Sequence, residues 1–253
     1  MRSIQLSPRL KFIADLVIPT HHLADIGTDH GYLPLVLLRT KKIQYASLCD
    51  INEGPLNNAR QTFLNSGYEE QISYKLGSGL AVLKRGEANS AIIAGMGGSL
   101  IQSLLQDSED VFQVMSQVIL QPMTEQSDLR AWLIARGYKD FVDYYVKEGN
   151  KLYEIIAIKP LNELAETRQD ETKVSEDSEA FIEIFRISKD LEFGYRVSYA
   201  TRSSYDLLLQ MKKNKYEKIL RATNSLPDTD IRRINCFDKL KTIEKIKAYM
   251  ADL

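Results

Sequence analysis

Within the stretch ADIGTDHGYLP, Asp25, Gly27, Asp29, His30 and Gly31 fall between two apolar runs. A carboxylate on each side of a glycine makes a negatively charged loop, and the glycine lets the backbone approach a ligand closely or adopt positive φ. Such a loop suits a ligand that carries positive charge and repels a diphosphate. A further acid, Asp50 in CDI, ends the next apolar run. It is placed to accept two hydrogen bonds from a ribose diol, and charge-assisted bonds of that kind contribute about 1.5–3 kcal/mol each. A third run ends in Gly77, Ser78 and Gly79, a fourth in AGMGG (Ala94 to Gly98), and a fifth in Gln121 and Pro122.

These residues need a scaffold that gathers the ends of the apolar runs. Over the first 160 residues short apolar runs alternate with amphipathic ones, a pattern that predicts a parallel sheet covered on both faces by helices. The first helix opens at SPRL, with Ser7 as N-cap and Pro8 in the first helical position. The helices EGPLNNARQTFLNSG and EQSDLRAWLIARG are expected to close at Gly67 and Gly137. The last two strands, YKDFVDYYVKEG and KLYEIIAIKP, form a hairpin around Gly149 and Asn150 and make the final strand antiparallel. Seven strands with that ending is the layout of a class I, Rossmann-like methyltransferase domain, although dehydrogenases share most of it. In doubly wound sheets the ligand lies at the carboxyl ends of the strands, where the strand order reverses.

Asp50 fits NAD(H) and S-adenosylmethionine equally well, but the first loop separates them. A dinucleotide requires G-x-G-x-x-G, so that pyrophosphate rests on a helix N-terminus. Here Asp29 takes the second glycine position, where a carboxylate opposes pyrophosphate and favours a sulfonium and an ammonium group. After the fourth strand the chain lacks the Asp/Asn-Pro-Pro-Tyr/Phe motif of many amino-methylating enzymes. Gly95, Gly97 and Gly98 offer a floor with few side chains on which a planar base would lie, or simply tight strand-to-helix packing. His30 either orients Asp29, contacts phosphate or packs at a helix start. Tyr32 either stacks or packs, and Trp132 reads as a core residue.

From residue 161 the pattern changes, so the expected division is a methyltransferase domain at 1–160 and a small α-helical, coiled-coil-like domain at 161–253. LNELAETRQDETKVSEDSE reads as a linker or an exposed helix, and three helical segments follow it. The last two flank SLPD, with Asp228 as the expected N-cap. One apolar stripe is Tyr205, Leu208 or Leu209, Tyr216, Ile219 and Leu220. The other is Ile231, Ile234, Phe237, Leu240, Ile243, Ile246 and Met250, and the pair predicts an antiparallel helical hairpin. The formal net charge of −1 hides a split: residues 161–185 carry eight acids against Arg168 and Lys173, and 186–253 carry fifteen Lys/Arg against nine acids. A basic C-terminal segment suits a polyanionic partner, as do Lys-rich helix faces that serve only solvation. Cys49 and Cys236 have no CxxC companion and His21, His22 and His30 no ligand spacing with them, so reduced thiols and no metal are expected. With no apolar run near twenty residues and a polar start, MRSIQLSPRLKF, a soluble cytoplasmic protein is expected, monomeric by preference.

LSPRL, ADIGTDHGYLP, CDINEGPLNNA, IIAGMGG, LQPM, LRAWL and KLYEIIAIKP, in this order over residues 6 to about 160, resemble the bacterial tRNA (adenine-22-N1)-methyltransferases. The pairing of DHGYLP with IAGMGG is the specific part. The resemblance implies methyl transfer from S-adenosylmethionine to N1 of the adenosine at tRNA position 22, with tRNA as partner. It implies Gly27, Asp29, Asp50, Gly77, Ser78 and Gly79 at the cofactor, and the expected cofactor set also includes Asp25, His30, Ile51 and Gly95. It implies Met96, Gly97 and Gly98 against the target base, and the expected substrate set also includes Arg9, Tyr32, Gln121 and Pro122. Asp29 is also the expected catalytic carboxylate, stabilising the cation that forms on the methylated ring. One departure stands out: methyltransferases often carry an acid where Ser78 stands, and serine accepts without charge. The alternatives are an S-adenosylmethionine enzyme acting on another RNA base, a non-catalytic RNA-binding protein that keeps the fold, and a nicotinamide-dependent oxidoreductase, which Asp29 disfavours.

Overall fold

The computed structural model describes residues 4–160 and 181–253. Helix α1 (Pro8–Leu16) starts as its sequence dictates, with Ser7 Oγ accepting the Leu10 N–H and Pro8 in the first turn. There follow β1 (Thr20–Ile26), α2 (Tyr32–Arg39), β2 (Ile43–Asp50), α3 (Glu53–Phe63), β3 (Ile72–Leu76), β4 (Ser90–Met96), α4 (Gly98–Gln106), α5 (Glu109–Phe112), β5 (Gln117–Pro122), α6 (Gln126–Ala135), β6 (Phe141–Glu148) and β7 (Lys151–Ile158). Helix α6 closes at Gly137 as expected, with φ +88° there. Helix α3 stops four residues before Gly67, because Asn65 already turns left-handed at φ +59°.

These seven strands form one sheet in the order β3-β2-β1-β4-β5-β7-β6. Strands β3, β2, β1, β4 and β5 run parallel, while β7 is antiparallel to both neighbours. The register Glu148↔Lys151 leaves Gly149 and Asn150 as a two-residue turn, with Gly149 at φ +57°. Strand order reverses between β1 and β4, and the ends of these two strands open the crevice that a doubly wound sheet offers to a ligand. Both faces are covered. Ile13, Leu35, Leu37 and Phe63 from α1, α2 and α3 pack with Leu23, Leu48, Ile92 and Ile119 of the sheet. On the other face Ile101, Leu105 and Leu133 pack with Ile26, Ile93, Val118 and Leu120.

The sheet does not stop at β6. Strands β8 (Phe181–Ile182) and β9 (Val197–Ser198) extend it, β9 pairing parallel to β6 and β8 antiparallel to β9. Between them lie helix α7 (Ile184–Ser188) and a single 3₁₀ turn (Leu191–Phe193). The C-terminal part is therefore mixed where its sequence reads as purely helical, because strands of two residues leave no period to detect. The expected boundary at 160/161 and the acidic stretch that follows lie against or outside the described residues. Arg130, fully buried, fixes the junction: its Nε donates to Asp143 Oδ1 at 2.8 Å, its Nη2 to Glu154 Oε2 at 2.6 Å, and its Nη1 to the Leu191 carbonyl. Asp143 Oδ2 in turn accepts the Tyr195 N–H.

Helices α8 (Arg202–Ala222) and α9 (Ile231–Ala251) form the expected hairpin, burying Tyr205, Leu208, Leu209 and Tyr216 against Cys236, Ile243, Ile246 and Met250. Two expectations fail at the start of α9. Asp230 rather than Asp228 caps the helix, accepting the Arg232 N–H. Ile231, Ile234 and Phe237 face outward, 66%, 39% and 38% exposed. Arg233 takes the inward position, bonding Asp228 and the carbonyls of Leu220 and Thr223, and so sets the rotation of the first turns. Among the described residues no helix is long and apolar enough to cross a membrane, and no group of His, Cys, Asp and Glu is arranged to hold a metal ion.

Candidate active site

The loop after β1 is tied to the end of β2: the N–H groups of Gly27 and Thr28 both donate to the Cys49 carbonyl, at 2.8 and 3.1 Å. Gly27 holds φ +75°, a conformation residues with a Cβ rarely adopt, and it packs against the flexible tip of Met96. Gly31, at φ +67°, turns the chain into α2 and sits against Phe63 and Ala59. Together with Arg9, Tyr32 and Gly95, the loop from Asp25 to Gly31 lines a cleft of about 270 Å³ at the carboxyl edge of the sheet. Burial pushes the Asp25 carboxyl up to about 6; the neighbouring Thr28 hydroxyl partly offsets this, and the Asp50 charge adds to it. A carboxylate held under such tension is relieved by a cation. The Thr28 hydroxyl, itself buried in the cleft wall, finds no partner besides Asp25 among the described residues.

Asp50 stands at the end of β2 beside the exposed Ile51, with Oδ1 accepting the Asn52 N–H at 2.8 Å. The Gly77 N–H donates to the Asp50 carbonyl, bringing the ends of β2 and β3 together. Ser78 is exposed and begins a 3₁₀ turn without capping it through its side chain. Gly79 departs from expectation. It is buried, and a Cβ there would meet Leu104 Cδ2 at 2.6 Å, so it serves packing rather than a cofactor-facing surface. Asp29 is well exposed at the mouth, with Oδ2 3.4 Å from His30 Nε2. His30 stacks on Tyr32 with ring centroids 5.1 Å apart and planes 10° from parallel.

Opposite, β4 slips against β5: Ala94 pairs with Gln121 and Met96 with Pro122, leaving Gly95 as the extra residue of a bulge. Gly95 has φ +80° and open space where a Cβ would stand, so it does form a bare floor. Gly97 lies against the Thr124 hydroxyl. Gly98 does not contribute to the floor. It is buried, and a Cβ would strike the Glu125 and Thr124 carbonyl oxygens at 2.6 and 2.8 Å.

Gln121 also differs from expectation, being fully buried and reaching the cleft only through Arg9. Its Oε1 accepts from Arg9 Nη1, and its Nε2 donates to the Pro122 carbonyl. The Arg9 N–H donates to Glu148 Oε2 at 2.9 Å, and its guanidinium lies 5.1 Å from the Tyr153 ring centre. Arg9 Nε is buried without a partner among the described residues. Pro122 is buried too, beneath a neighbouring recess that it lines with Met123, Lys151, Tyr153 and Met211. The structure thus brings Arg9, Asp25, Gly27, Asp29, His30, Tyr32 and Gly95 into one cleft, with Met96 against it and Asp50, Ile51 and Gly77 at the next strand ends. Thr28 and Tyr153 escaped the sequence reading, and Gly31 was named there without a role. Thr28 and Gly31 lie within the motif itself, whereas nothing local marks Tyr153.

A mixed sheet with order 3-2-1-4-5-7-6, antiparallel only at β7, and an acid-lined cleft at its switch point define a class I methyltransferase. Residues 6–156 match the family model described as "Methyltransferase domain", and the chain belongs to that family. Within it, the chain is 35% identical over 156 residues to the tRNA (adenine(22)-N(1))-methyltransferase of Bacillus subtilis, a match spanning 62% of this chain and 66% of that protein, just under two thirds. The crystal structure of the B. subtilis M1A22 tRNA methyltransferase TrmK is similar at 26% identity and TM-score 0.68, covering 96% of this chain and 99% of that one. Streptococcus pneumoniae Sp1610 in complex with S-adenosyl-L-methionine is similar at 26% identity and TM-score 0.71, with the same coverage.

Proposed function

We propose that this protein transfers the methyl group of S-adenosylmethionine to N1 of the adenosine at tRNA position 22. The observation that carries it is the cleft itself. Asp25 and Asp29 line a space of about 270 Å³ that no glycine-rich phosphate loop serves, Asp50 stands at the next strand end, and burial holds the Asp25 carboxyl up at about 6. The residues fit the cofactor: Asp25 and Thr28 would hold its cationic end, Gly27 leaves room for it, and Asp50 would hold the ribose. When bound, S-adenosylmethionine supplies an electrophilic methyl group on a sulfonium.

The remaining work falls to the chain. Adenine N1 is buried in a Watson–Crick pair, so the base must leave its stack, at a cost of a few kcal/mol. N1 has its own lone pair, so no strong base is needed, and orientation over the Gly95 floor supplies much of the acceleration. Asp29, at the mouth of the cleft, stabilises the positive charge that develops on the ring. Residues 1–160 would then perform the chemistry, and the basic face of 186–253 would hold tRNA backbone. The test is incubation with unmodified tRNA and methyl-labelled cofactor, followed by nucleoside analysis and mapping. One labelled 1-methyladenosine at position 22 is expected. Label on another nucleoside, or none, refutes the proposal.

A further inference from the structure

Beside the cofactor cleft lies a larger recess, about 740 Å³, between the residues preceding α1 and helices α2 and α3. The two spaces share one wall, the stacked rings of His30 and Tyr32, which line both. On the cleft side the wall faces acids. On the recess side it faces Arg39 and the amides of Asn58, Gln61 and Asn65, with no carboxylate among the described residues of the lining. The change of sign across one pair of rings separates two kinds of ligand. The cleft suits a cation, and the recess tolerates a phosphodiester.

We propose that this recess receives an unstacked tRNA nucleotide next to the methylated adenosine, its base stacked on the exposed face of the His30–Tyr32 pair. Three features favour a nucleotide over a peptide or a second copy of the chain. The rings are nearly parallel and Tyr32 is 41% exposed, which presents a flat face to a planar base. Asn58, Gln61 and Asn65 each carry one acceptor and an NH₂ donor pair, the complement of base edges and ribose hydroxyls in an unpaired strand. The volume also suits a nucleotide, since pockets for ligands of that size run from about 300 to 1,000 Å³. The wall explains why a base would come here. An adenosine turned out toward the cleft drags its neighbour off the stack, and the paired rings, their centres 5.1 Å apart, catch it.

The inference rests on the tRNA reading above, and the experiment separates the two. Asn58, Gln61 and Asn65 are exposed and lie outside the cofactor cleft. A Gln61→Glu/Asn65→Asp variant places two carboxylates in the recess at nearly constant shape, and a Gln61→Ala/Asn65→Ala variant removes the amides. Steady-state methylation of unmodified tRNA gives KM and kcat, and calorimetric titration with S-adenosylmethionine reports folding and cofactor binding. The charge variant should raise the tRNA KM at least about tenfold, and the alanine variant by less, with cofactor Kd within about twofold of wild type for both. If both variants keep the wild-type tRNA KM, the recess does not hold RNA and the inference falls. If the wild-type protein methylates no tRNA, the failure belongs to the proposed function, and the recess falls with it.

Discussion

Asp25 offers the sharpest test of a cleft tuned for positive charge. Its carboxyl is raised from an ordinary value near 3.8 to about 6, by burial first and with the nearby Asp50 charge adding to it. A rise of that size disfavours the charged form by about 3 kcal/mol at neutral pH. A sulfonium or ammonium placed beside it removes that penalty, so the carboxyl ionises more readily in the complex than in the free protein. The sign follows. Binding releases a proton below about pH 6, and affinity falls as pH drops through that value. If the carboxyl stays ionised down to about pH 4 in the complex, the cofactor Kd at pH 5 is about tenfold above its value at pH 7, and about three quarters of a proton is released per binding event at pH 5.5. Isothermal titration calorimetry in two buffers of different ionisation enthalpy counts those protons directly. Asp25→Asn should bind more weakly at pH 7 and lose the dependence between pH 5 and 7. A wild-type Kd that stays flat over that range, or an unchanged slope in Asp25→Asn, refutes the reasoning.

Two further outcomes follow from other parts of the molecule. Asp143→Ala leaves the Arg130 guanidinium buried without its Nε partner and frees the Tyr195 N–H; breaking a buried pair in this way costs about 3–5 kcal/mol, so thermal unfolding should occur about 10 °C lower, with cofactor Kd little changed. Of the basic residues on the C-terminal helices, Lys212 is tied to Glu192, Arg232 to Asp230 and Arg233 to Asp228, while Lys215, Lys218 and Arg221 are exposed. Reversing these last three should weaken tRNA binding and flatten its salt dependence by about one unit of log–log slope for each phosphate that is no longer neutralised, with cofactor titrations unaltered.

The sheet and most of the cleft were legible because their determinants are local. An apolar run, a glycine that must turn and an acid at a strand end lie within about ten residues of each other, and Ser7-Pro8 and Gly149-Asn150 mark their elements without help from afar. What was not legible depends on distant partners. Gln121 reads as a cleft residue from its strand end, yet it is buried and acts through Arg9, 112 positions away. Gly79 and Gly98 look like ligand-facing glycines until Leu104 and the carbonyls of Thr124 and Glu125 are seen to fill the space beside them. The stripe beginning at Ile231 follows helical spacing, but Arg233 finds Asp228 and the carbonyls of Leu220 and Thr223 at the end of α8, which fixes the rotation of the helix start. Hydrophobic periodicity alone does not anticipate an arginine that turns inward to meet a carboxylate and two helix-end carbonyls.

Strand β9 meets β6 through Asp143 and Val197, and the Asp143 N–H also donates to the Arg196 carbonyl. Without that pairing β6 would be the outermost strand, presenting unmet N–H and carbonyl groups together with Phe141, Tyr144 and Tyr145 of the core. Such a border recruits a strand from another molecule. The short strands after residue 180 cover that border, so the sheet ends on a strand of only two residues, β8, and the segment leading to the basic helices is what covers it.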